Sequence, residues 1–518
     1  MKINQLKWGS ILSYGQMALS VIINIVFTPL MIHLLGKNEY GLYNTVSSTI
    51  SMLSILSLGF GSGYIRYYAK YKLNGEREKI YRLNGLFLII FSIIGLVALV
   101  CGLFLSFHLN LVFDQGLTQA EYATARILMI LLTCNLAISF PMSVMTNIVT
   151  ANERFVFAKL VNMIKTVVGP LVMLPLLLLG FRSIGIVVST VALALVADGI
   201  TAYYVLFKLK NRFYFTAFEK GLFRGLFGYT AFIALNVIID QINLNIDKLL
   251  LARYRGTGEV AVYSVGYNLY VFYVMVSSAV SSVFTPKIHA IVNKTQENLR
   301  LQREQLTELF IRVGRIQFLL LGLVGSGLVF FGKPFILNFW AGAEYGDSYV
   351  VALLLTLPAS IALIQNLGIE IQRAKNLHRF RAVAYAVMAG LNLALSIYLC
   401  QLYGAIGSAI GTAISLIVAN GLIMNLYYHR KCNLDILAFW KAIFPLILGL
   451  AIPVGFGILL QNLVNLDRTV VFFLGILAYT AVYCASQWLI GMNSYEKGLI
   501  LTPIRSFLAR GRKCDKDH

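Results

Sequence analysis

The chain has 518 residues, of which 58% are hydrophobic and only 13% are charged, and its mean hydropathy is +0.76. Because a soluble domain carries about 25% charged residues, this composition excludes an ordinary water-soluble fold and indicates a protein of the lipid bilayer. The net charge of +21 could suggest nucleic-acid binding, but the Lys and Arg residues lie in short segments between apolar runs. We therefore expect no nucleic-acid partner.

Fourteen apolar runs are long enough to cross a bilayer, for which a helix needs about 20 residues. The first run is too long for a signal peptide and is followed by no cleavage site, so we expect it to be retained. The chain is thus predicted to be all-α and polytopic, with fourteen spans at 9–33, 42–64, 84–107, 124–149, 160–180, 184–207, 225–246, 260–284, 311–332, 349–370, 382–401, 404–427, 440–461 and 469–491.

The distribution of Lys and Arg predicts the orientation of these spans. With a cytoplasmic N-terminus, the inside segments hold 34 of the 43 basic residues, the outside segments hold eight, and Lys165 lies within a span. A bias of this kind orients polytopic proteins, so both termini are predicted to be cytoplasmic. No segment between spans is much longer than about 25 residues, which leaves no room for a soluble catalytic domain.

An internal repeat divides the chain. Residues after the first span recur after the seventh at an offset of 220, and a further match follows at 222; the pairs are Gly36 with Gly256, Glu39 with Glu259, Tyr43 with Tyr263, and Ile184-Gly185 with Ile406-Gly407. The repeat predicts a six-span lobe at 1–215, a second at 216–432, and two further spans with a tail at 433–518. Since six is even, the lobes should be parallel repeats, with substrate between them and alternating access.

The segments that carry this repeat resemble a known family. The sequence is similar to the polysaccharide transport branch of the multidrug, oligosaccharidyl-lipid and polysaccharide exporter superfamily in LGKNEYGLY (35–43), LGFGSGYIRYYAKYKLNGEREKI (58–80), NIDKLLLARYRGTGEVAVYSVG (245–266), QRAKNLHRFRA (372–382) and YGAIGSAIGTAIS (403–415). The resemblance implies two lobes around a central cavity in a bacterial cytoplasmic membrane. It also implies a polyprenyl-pyrophosphate-linked oligosaccharide as substrate, with membrane lipid and other polysaccharide assembly proteins as partners.

Two differences from the superfamily limit which properties of its members can be expected of this chain. Relatives that flip the peptidoglycan precursor have an arginine cluster that includes the first and eighth spans, and neither span has an interior arginine here. Multidrug relatives typically have an acidic residue in the first span, where this chain has only Gln16 and Asn24. The resemblance therefore argues against the peptidoglycan precursor as the substrate. Whether H⁺ or Na⁺ acts as a coupling cation stays open.

Polar residues follow one face of the seventh span. Asn236, Asp240, Asn243 and Asp247 are separated by 4, 3 and 4 residues, so they share a helical face. Ionisable groups facing lipid are costly, and we expect this stripe to line a hydrated wall that binds sugar hydroxyls or a coupling cation. The alternative is that Asp240 is a packing residue and Asp247 marks the end of the helix.

Two further charges lie within spans. Lys165 in the fifth span and Asp198 in the sixth could form a neutral pair facing a cavity. Lys165 lies close to the inner end of its span, however, so its ammonium could instead reach the membrane interface. Asp198 is deeper and is the better candidate for substrate binding.

Basic residues at the inner ends of spans are candidates for binding the pyrophosphate. Arg66 and Lys287 end the second and eighth spans at nearly the repeat offset, and cationic donors on both lobes suit phosphate oxygens. Glu370 and Arg373 at the end of the tenth span are candidates for an inner gate. For all four residues the alternative is ordinary positive-inside anchoring or a surface ion pair.

The sequence carries no motif of covalent chemistry. It lacks a Walker A pattern and a D-D-x-x-D pattern, and its six cysteines have no spacing typical of zinc sites. We predict a transporter with no catalytic residue, no metal and no cofactor. Two alternatives remain: a drug or cation antiporter of the same fold, and a membrane-embedded glycan polymerase or ligase, which would need a larger outer loop.

Overall fold

The structure, a computed structural model, describes residues 5–114, 117–216, 222–375, 377–499 and 501–502, and all regular secondary structure in these ranges is helical. The predicted all-α class is confirmed. The helices are α1 (Gln5–Leu35), α2 (Lys37–Met52), α3 (Phe60–Leu73), α4 (Arg77–Phe107), α5 (Gln119–Ala151), α6 (Phe155–Leu178), α7 (Arg182–Tyr203), α8 (Leu222–Tyr254), α9 (Thr257–Lys294), α10 (Leu299–Pro334), α11 (Gly346–Ile364), α12 (Leu367–Ala374), α13 (His378–Leu416), α14 (Asn425–Arg430), α15 (Ile436–Leu448), α16 (Ala451–Leu463) and α17 (Thr469–Ser486).

Twelve helical segments of the described chain are long and apolar enough to cross a membrane. One of them, Phe380–Arg430, has 51 residues and turns at Gly404, where φ is +58°, so it contains two predicted spans. The predicted span at 225–246 lies in α8, which is not among the twelve. The structure is therefore compatible with fourteen spans, and the protein is a multi-pass membrane protein.

Several predicted spans are interrupted helices. The second span is broken between α2 and α3, where Leu58 and Gly59 have φ of 45° and 67°. The tenth span is broken between α11 and α12 at Gln365 and Asn366. Interrupted helices are tolerated within a bilayer only where surrounding protein satisfies the freed backbone groups. Gln365 is 2% exposed, in agreement with this requirement.

The chain forms two compact units. The first contains Met1–Val265 and Ala382–Ser415, and the second contains Gly266–Arg381 and Leu416–His518. The long helices α9 and α13 contribute residues to both. The division into lobes at residues 215 and 432 rests on the sequence repeat and stays a prediction.

The core of the first unit lies between α3, α4 and α5. The ring of Tyr64 packs edge-on against Phe87 at 5.1 Å, and both side chains are fully buried. Gly95 on α4 lies against the backbone carbonyl of Ala137 on α5, where a Cβ would overlap the carbonyl oxygen. Small residues allow membrane helices to approach closely, and this contact fixes α4 beside α5.

The second unit has an aromatic core between α10 and α17. Phe331 packs edge-on against Phe472 at 6.0 Å and against Tyr479 at 5.5 Å. All three side chains are at most 5% exposed. Aromatic pairs in this geometry contribute about 0.5–1.5 kcal/mol each beyond their buried area, so this cluster fixes α17 to α10.

The sequence repeat corresponds to a repeated structural contact. Gly36 and Gly256 have φ of +78° and +88° and follow the ends of α1 and α8, and glycine is the residue that adopts positive φ most readily. Three residues later, the Glu39 carboxylate accepts hydrogen bonds from Ser183 N at 3.0 Å and Ser183 Oγ at 2.6 Å. In the second copy, Glu259 Oε2 accepts from Ala405 N at 2.7 Å. Each glutamate thus caps the start of the sixth predicted span of its half, where an anion is favourable.

Candidate functional site

The polar stripe on α8 divides into an exposed part and a buried part. Asn236 and Asp240 are exposed and Asn243 is half-buried, whereas Asp247 is 3% exposed. The four residues share a helical face as predicted, but they do not form one uniformly hydrated wall. Asp240 is the accessible carboxylate of the stripe, and Asp247 lies inside the protein.

Asp247 is the centre of a buried hydrogen-bond cluster in the first unit. Its Oδ2 accepts from Tyr263 OH at 2.8 Å and from Thr412 Oγ1 at 3.0 Å, and its Oδ1 accepts from Ser408 Oγ at 2.7 Å. Hydrogen bonds to a charged acceptor are stronger than neutral ones. The carboxylate therefore joins α8, α9 and the segment of α13 that follows Gly404. Neither of its oxygens is open to a bound sugar in this conformation.

Further oxygen atoms lie next to the hydroxyl groups that bind this carboxylate. Asn392 Oδ1 accepts from Thr412 Oγ1 at 3.4 Å and from Ser396 Oγ at 3.3 Å, and Asn392 is 4% exposed. The two segments of α13 approach closely because Gly411 lies against Ser396, where a Cβ would be 2.9 Å from Oγ. The result is a cluster of carboxylate, amide and hydroxyl oxygens inside the membrane protein.

The carboxylate of this cluster and one of its hydroxyl partners have apolar counterparts in the first half of the chain. The repeat offset of 220 places Phe27 opposite Asp247, and the offset of 222 places Ile186 opposite Ser408. Both are buried apolar residues. The two halves therefore share their capping contacts, but only the second half has a carboxylate at this place.

A hard cation or a proton is the ligand that these donors suit. Carboxylate, carbonyl and hydroxyl oxygens bind hard cations, whereas His and Cys favour transition metals. No group of three or more His, Cys, Asp or Glu side chains that could hold a metal ion occurs among the described residues. The donors of this cluster are oxygen atoms, of the type that binds hard cations.

The other intramembrane pair is less tightly arranged. Lys165 on α6 and Asp198 on α7 are both half-buried, and α6 packs against α7. Asp198 stays a candidate for contact with the transported headgroup.

The predicted inner basic residues are accessible. Arg66 and Lys287 are both exposed. Each lies seven residues before the end of its helix, because α3 continues to Leu73 and α9 continues to Lys294. They do not end their helices, as the sequence had suggested, but lie about two turns before the end. Both side chains therefore lie at the protein surface.

The predicted inner gate residues form a local ion pair. Arg373 Nη1 lies 2.6 Å from Glu370 Oε1 within α12, and the Arg373 side chain is 63% exposed. Lys375 follows, donates to Cys432 O at 2.9 Å, and has its pKa lowered by burial. The pair belongs to one helix and is a surface pair in this conformation.

The second unit contains a buried ion pair that was not predicted from the sequence. Arg315 binds Glu496 through two hydrogen bonds, Nε to Oε1 at 2.5 Å and Nη2 to Oε2 at 2.8 Å. Its guanidinium also donates to the carbonyls of Ala442 and Gly491. Both charged side chains are at most 6% exposed. Arg315 therefore holds together α10, α15 and the segments that follow α17.

Comparisons with known proteins give the context for these sites. The profile of a family described as "Polysaccharide biosynthesis protein" matches residues 7–292. A Shigella flexneri protein named as an O-antigen transporter is 21% identical over 408 residues, which cover 77% of this chain and 92% of that protein.

Two solved structures share the fold. The inward closed conformation of the lipid II flippase MurJ aligns with a TM-score of 0.72 and 17% identity, over 95% of this chain and 99% of that one. An inward-facing multidrug resistance transporter of the MATE family aligns with a TM-score of 0.60 and 15% identity, over 81% and 99%. By name, the first is a flippase and the second is a transporter.

Proposed function

Since the chain belongs to the polysaccharide biosynthesis protein family, we propose that it is a flippase for polyprenyl-pyrophosphate-linked oligosaccharide repeat units. It would move them across a bacterial cytoplasmic membrane for export or assembly of a cell-surface polysaccharide. The observation that carries this proposal is the family match over residues 7–292. The O-antigen transporter relative and the lipid flippase fold support it.

The proposed path separates the headgroup from the tail. The pyrophosphate and sugars would enter from the cytoplasm while the polyprenyl chain stays in lipid, because burying apolar groups in a polar cavity is unfavourable. Arg66 and Lys287, both exposed, would bind the pyrophosphate through charge-assisted hydrogen bonds. Asp240, Asn236 and Asp198 would contact the glycan. The protein would act by alternating access without covalent chemistry, with both termini in the cytoplasm.

Coupling would use the oxygen cluster around Asp247. A cation entering there would take the place of hydroxyl hydrogens that now point at the carboxylate, and Tyr263, Ser408 and Thr412 would turn their lone pairs toward it. Such a change would alter how α8, α9 and α13 are joined. Intramembrane carboxylates are functional by default, and this one lies where three helices meet.

Deleting the protein from its own cells tests the proposed substrate. A flippase predicts that the complete lipid-linked repeat unit accumulates on the cytoplasmic face and that the wild-type protein restores transport. Loss of chain elongation, with single units exposed on the outer face, would instead indicate a polymerase or ligase. Unchanged glycan lipids with increased sensitivity to cationic drugs would indicate the antiporter, which the MATE-like fold makes the second candidate.

Reconstituted variants test the proposed pyrophosphate donors. Losing a hydrogen bond to a charged group costs about 1.5–3 kcal/mol, so Arg66→Gln or Lys287→Gln should reduce flipping of a fluorescent lipid pyrophosphate about tenfold or more. Lys431→Gln, which removes an exposed cation outside the proposed path, is the control. Equal activity of all three variants would exclude Arg66 and Lys287 as substrate donors.

A further inference from the structure

A basic and aromatic segment follows α7 in the first unit. Residues 208–216 read KLKNRFYFT, and Lys208, Lys210 and Arg212 are all exposed. Aromatic and basic residues are typical of the zone where a membrane meets water. The segment therefore has the composition of a chain that lies at the level of lipid headgroups.

This segment is fixed against α4 by specific hydrogen bonds. Asn84, which is fully buried, donates from Nδ2 to Arg212 O at 3.1 Å and accepts from Tyr64 OH at 2.6 Å. Tyr214 N donates to Tyr81 O at 3.0 Å. These bonds hold the backbone beside Arg212 in one place and leave its side chain outside.

An apolar groove begins where the segment meets α4. It has a volume of about 360 Å³ and is lined by Leu88, Ile89, Ser92, Ile93, Leu96 and Phe215. From Leu88 to Leu96 the groove follows α4 for about 12 Å. The hydrocarbon core of a bilayer is about 30 Å thick, so the groove has close to the length of one leaflet.

We propose that this groove binds one acyl chain of an anionic glycerophospholipid whose phosphate is held by Lys210 and Arg212. The apolar walls suit a hydrocarbon chain, and the basic segment at the mouth supplies a complementary charge. Anionic lipids of the cytoplasmic leaflet attract such basic residues. A polyprenyl chain longer than one leaflet fits this short groove poorly, so the occupant is a resident lipid rather than the transported one.

This inference goes beyond the proposed function and depends only on the segment facing the cytoplasmic leaflet. The lipid would fasten the segment 208–216 to the membrane beside α4. The segment precedes α8, which carries Asp240 and Asp247. A bound lipid would therefore stabilise the position of the chain before that helix. The identity of the transported glycan has no bearing on it.

Native mass spectrometry of the purified full-length protein tests the site. The protein is mixed with equal amounts of phosphatidylglycerol and phosphatidylcholine that have identical acyl chains. We expect phosphatidylglycerol to be retained preferentially and Lys210→Gln and Arg212→Gln to reduce this retention about fivefold each. Leu96→Trp, which fills the groove, should abolish it.

Matched controls separate this site from ordinary annular lipid. Lys431→Gln removes an exposed cation elsewhere, and Leu171→Trp alters a leucine of α6 that is 67% exposed, comparable to Leu96 at 61%. Neither should change retention. Equal retention of the two lipids, or equal effects of the control variants, would overturn the proposal. Displacement of phosphatidylglycerol by a polyprenyl phosphate would overturn it also, because the groove would then belong to the substrate tail.

Discussion

Asp247 provides the sharpest test at the scale of single residues. Asp247→Asn keeps the size of the side chain and removes its charge, while its amide replaces one hydrogen-bond acceptor with a donor. We expect the protein to fold, because hydrogen bonds between membrane helices contribute only about 0.6 kcal/mol on average. Flipping in vesicles should lose its response to an imposed Na⁺ or H⁺ gradient.

Asp240→Asn is the natural comparison for this variant. Asp240 lies on the same helical face but is exposed, so its loss should reduce the flipping rate and leave the response to the gradient intact. If Asp247→Asn responds to both gradients as the wild type does, the cluster is only structural. If Asp240→Asn has unchanged activity, Asp240 is not a substrate residue.

The Arg315–Glu496 pair predicts a large and specific loss of stability. Removing one member of a buried ion pair costs about 3–5 kcal/mol, because the other charge is left without a partner. Arg315→Met should therefore lower the thermal unfolding midpoint strongly, and the double variant Arg315→Met/Glu496→Met should recover part of the loss. A double-mutant cycle measures the coupling.

The exposed pair on α12 is the control for this measurement. Arg373→Met removes a partner of Glu370 from a surface ion pair, which is worth about 0–1 kcal/mol. A loss for Arg315→Met no larger than that for Arg373→Met would contradict a clamping role for the buried pair. No recovery in the double variant would show that packing, rather than charge, accounts for the loss.

Residue types and helical spacing were enough to predict which polar residues of α8 share a face, but not their burial. Asp247 is buried because Ser408 and Thr412 reach it, and these lie 161 and 165 residues away in sequence. Nothing local to either segment encodes that contact. The same holds for Arg315, whose partner Glu496 is 181 residues away in sequence. From the sequence, Arg315 is one of the 34 basic residues assigned to the inside segments.

At the scale of helices, a glycine with positive φ lies near the start of the sixth predicted span of each half. Gly180 precedes the span at 184–207, Gly404 begins the span at 404–427, and their φ are +86° and +58°. A Cβ at Gly180 would meet no atom within 4 Å, whereas one at Gly404 would overlap the Glu259 carboxylate. Gly180→Ala should cost about 1–2 kcal/mol for the positive φ alone. Gly404→Ala should cost more, because its φ of +58° with ψ of −133° suits only glycine and because the added methyl group would displace the helix cap.

Unfolding midpoints of the two alanine variants test this difference. Adding Glu259→Ala to Gly404→Ala should then have little further effect, because the cap would already be displaced. Equal losses for the two glycines would exclude a contribution from the cap. A full additional loss on removing Glu259 would show that the carboxylate keeps its bond to Ala405 despite the added methyl group.

Helix positions were predictable from the sequence and helix interruptions were not. A bilayer requires each spanning segment to satisfy its own backbone groups, so apolar runs report helices reliably. The break at Leu58 and Gly59 lies inside such a run, because neighbouring protein, rather than local sequence, stabilises it. The repeated Gly36–Glu39 and Gly256–Glu259 motifs were visible in sequence, but their capping role required the partner helices.

At the scale of the whole molecule, charge and hydropathy together predict the orientation. The bias of 34 inside to eight outside Lys and Arg residues depends on a correct count of spans. One missing span would assign every later segment to the opposite side of the membrane. The twelve apolar segments, the turn at Gly404 and the additional helix α8 are compatible with that count. A measurement of the orientation therefore tests the assignment of all fourteen predicted spans rather than the position of one loop.

Single cysteines measure this orientation directly in a background without the six native cysteines. Lys333 and Lys431 are both exposed and are predicted to lie outside and inside, respectively. In intact cells an impermeant thiol reagent should label Lys333→Cys and should label Lys431→Cys only after permeabilisation. Three predicted spans separate the two positions, so the same pattern reversed would mean an inverted protein. Labelling of both positions from one side would mean that a span has been miscounted between them.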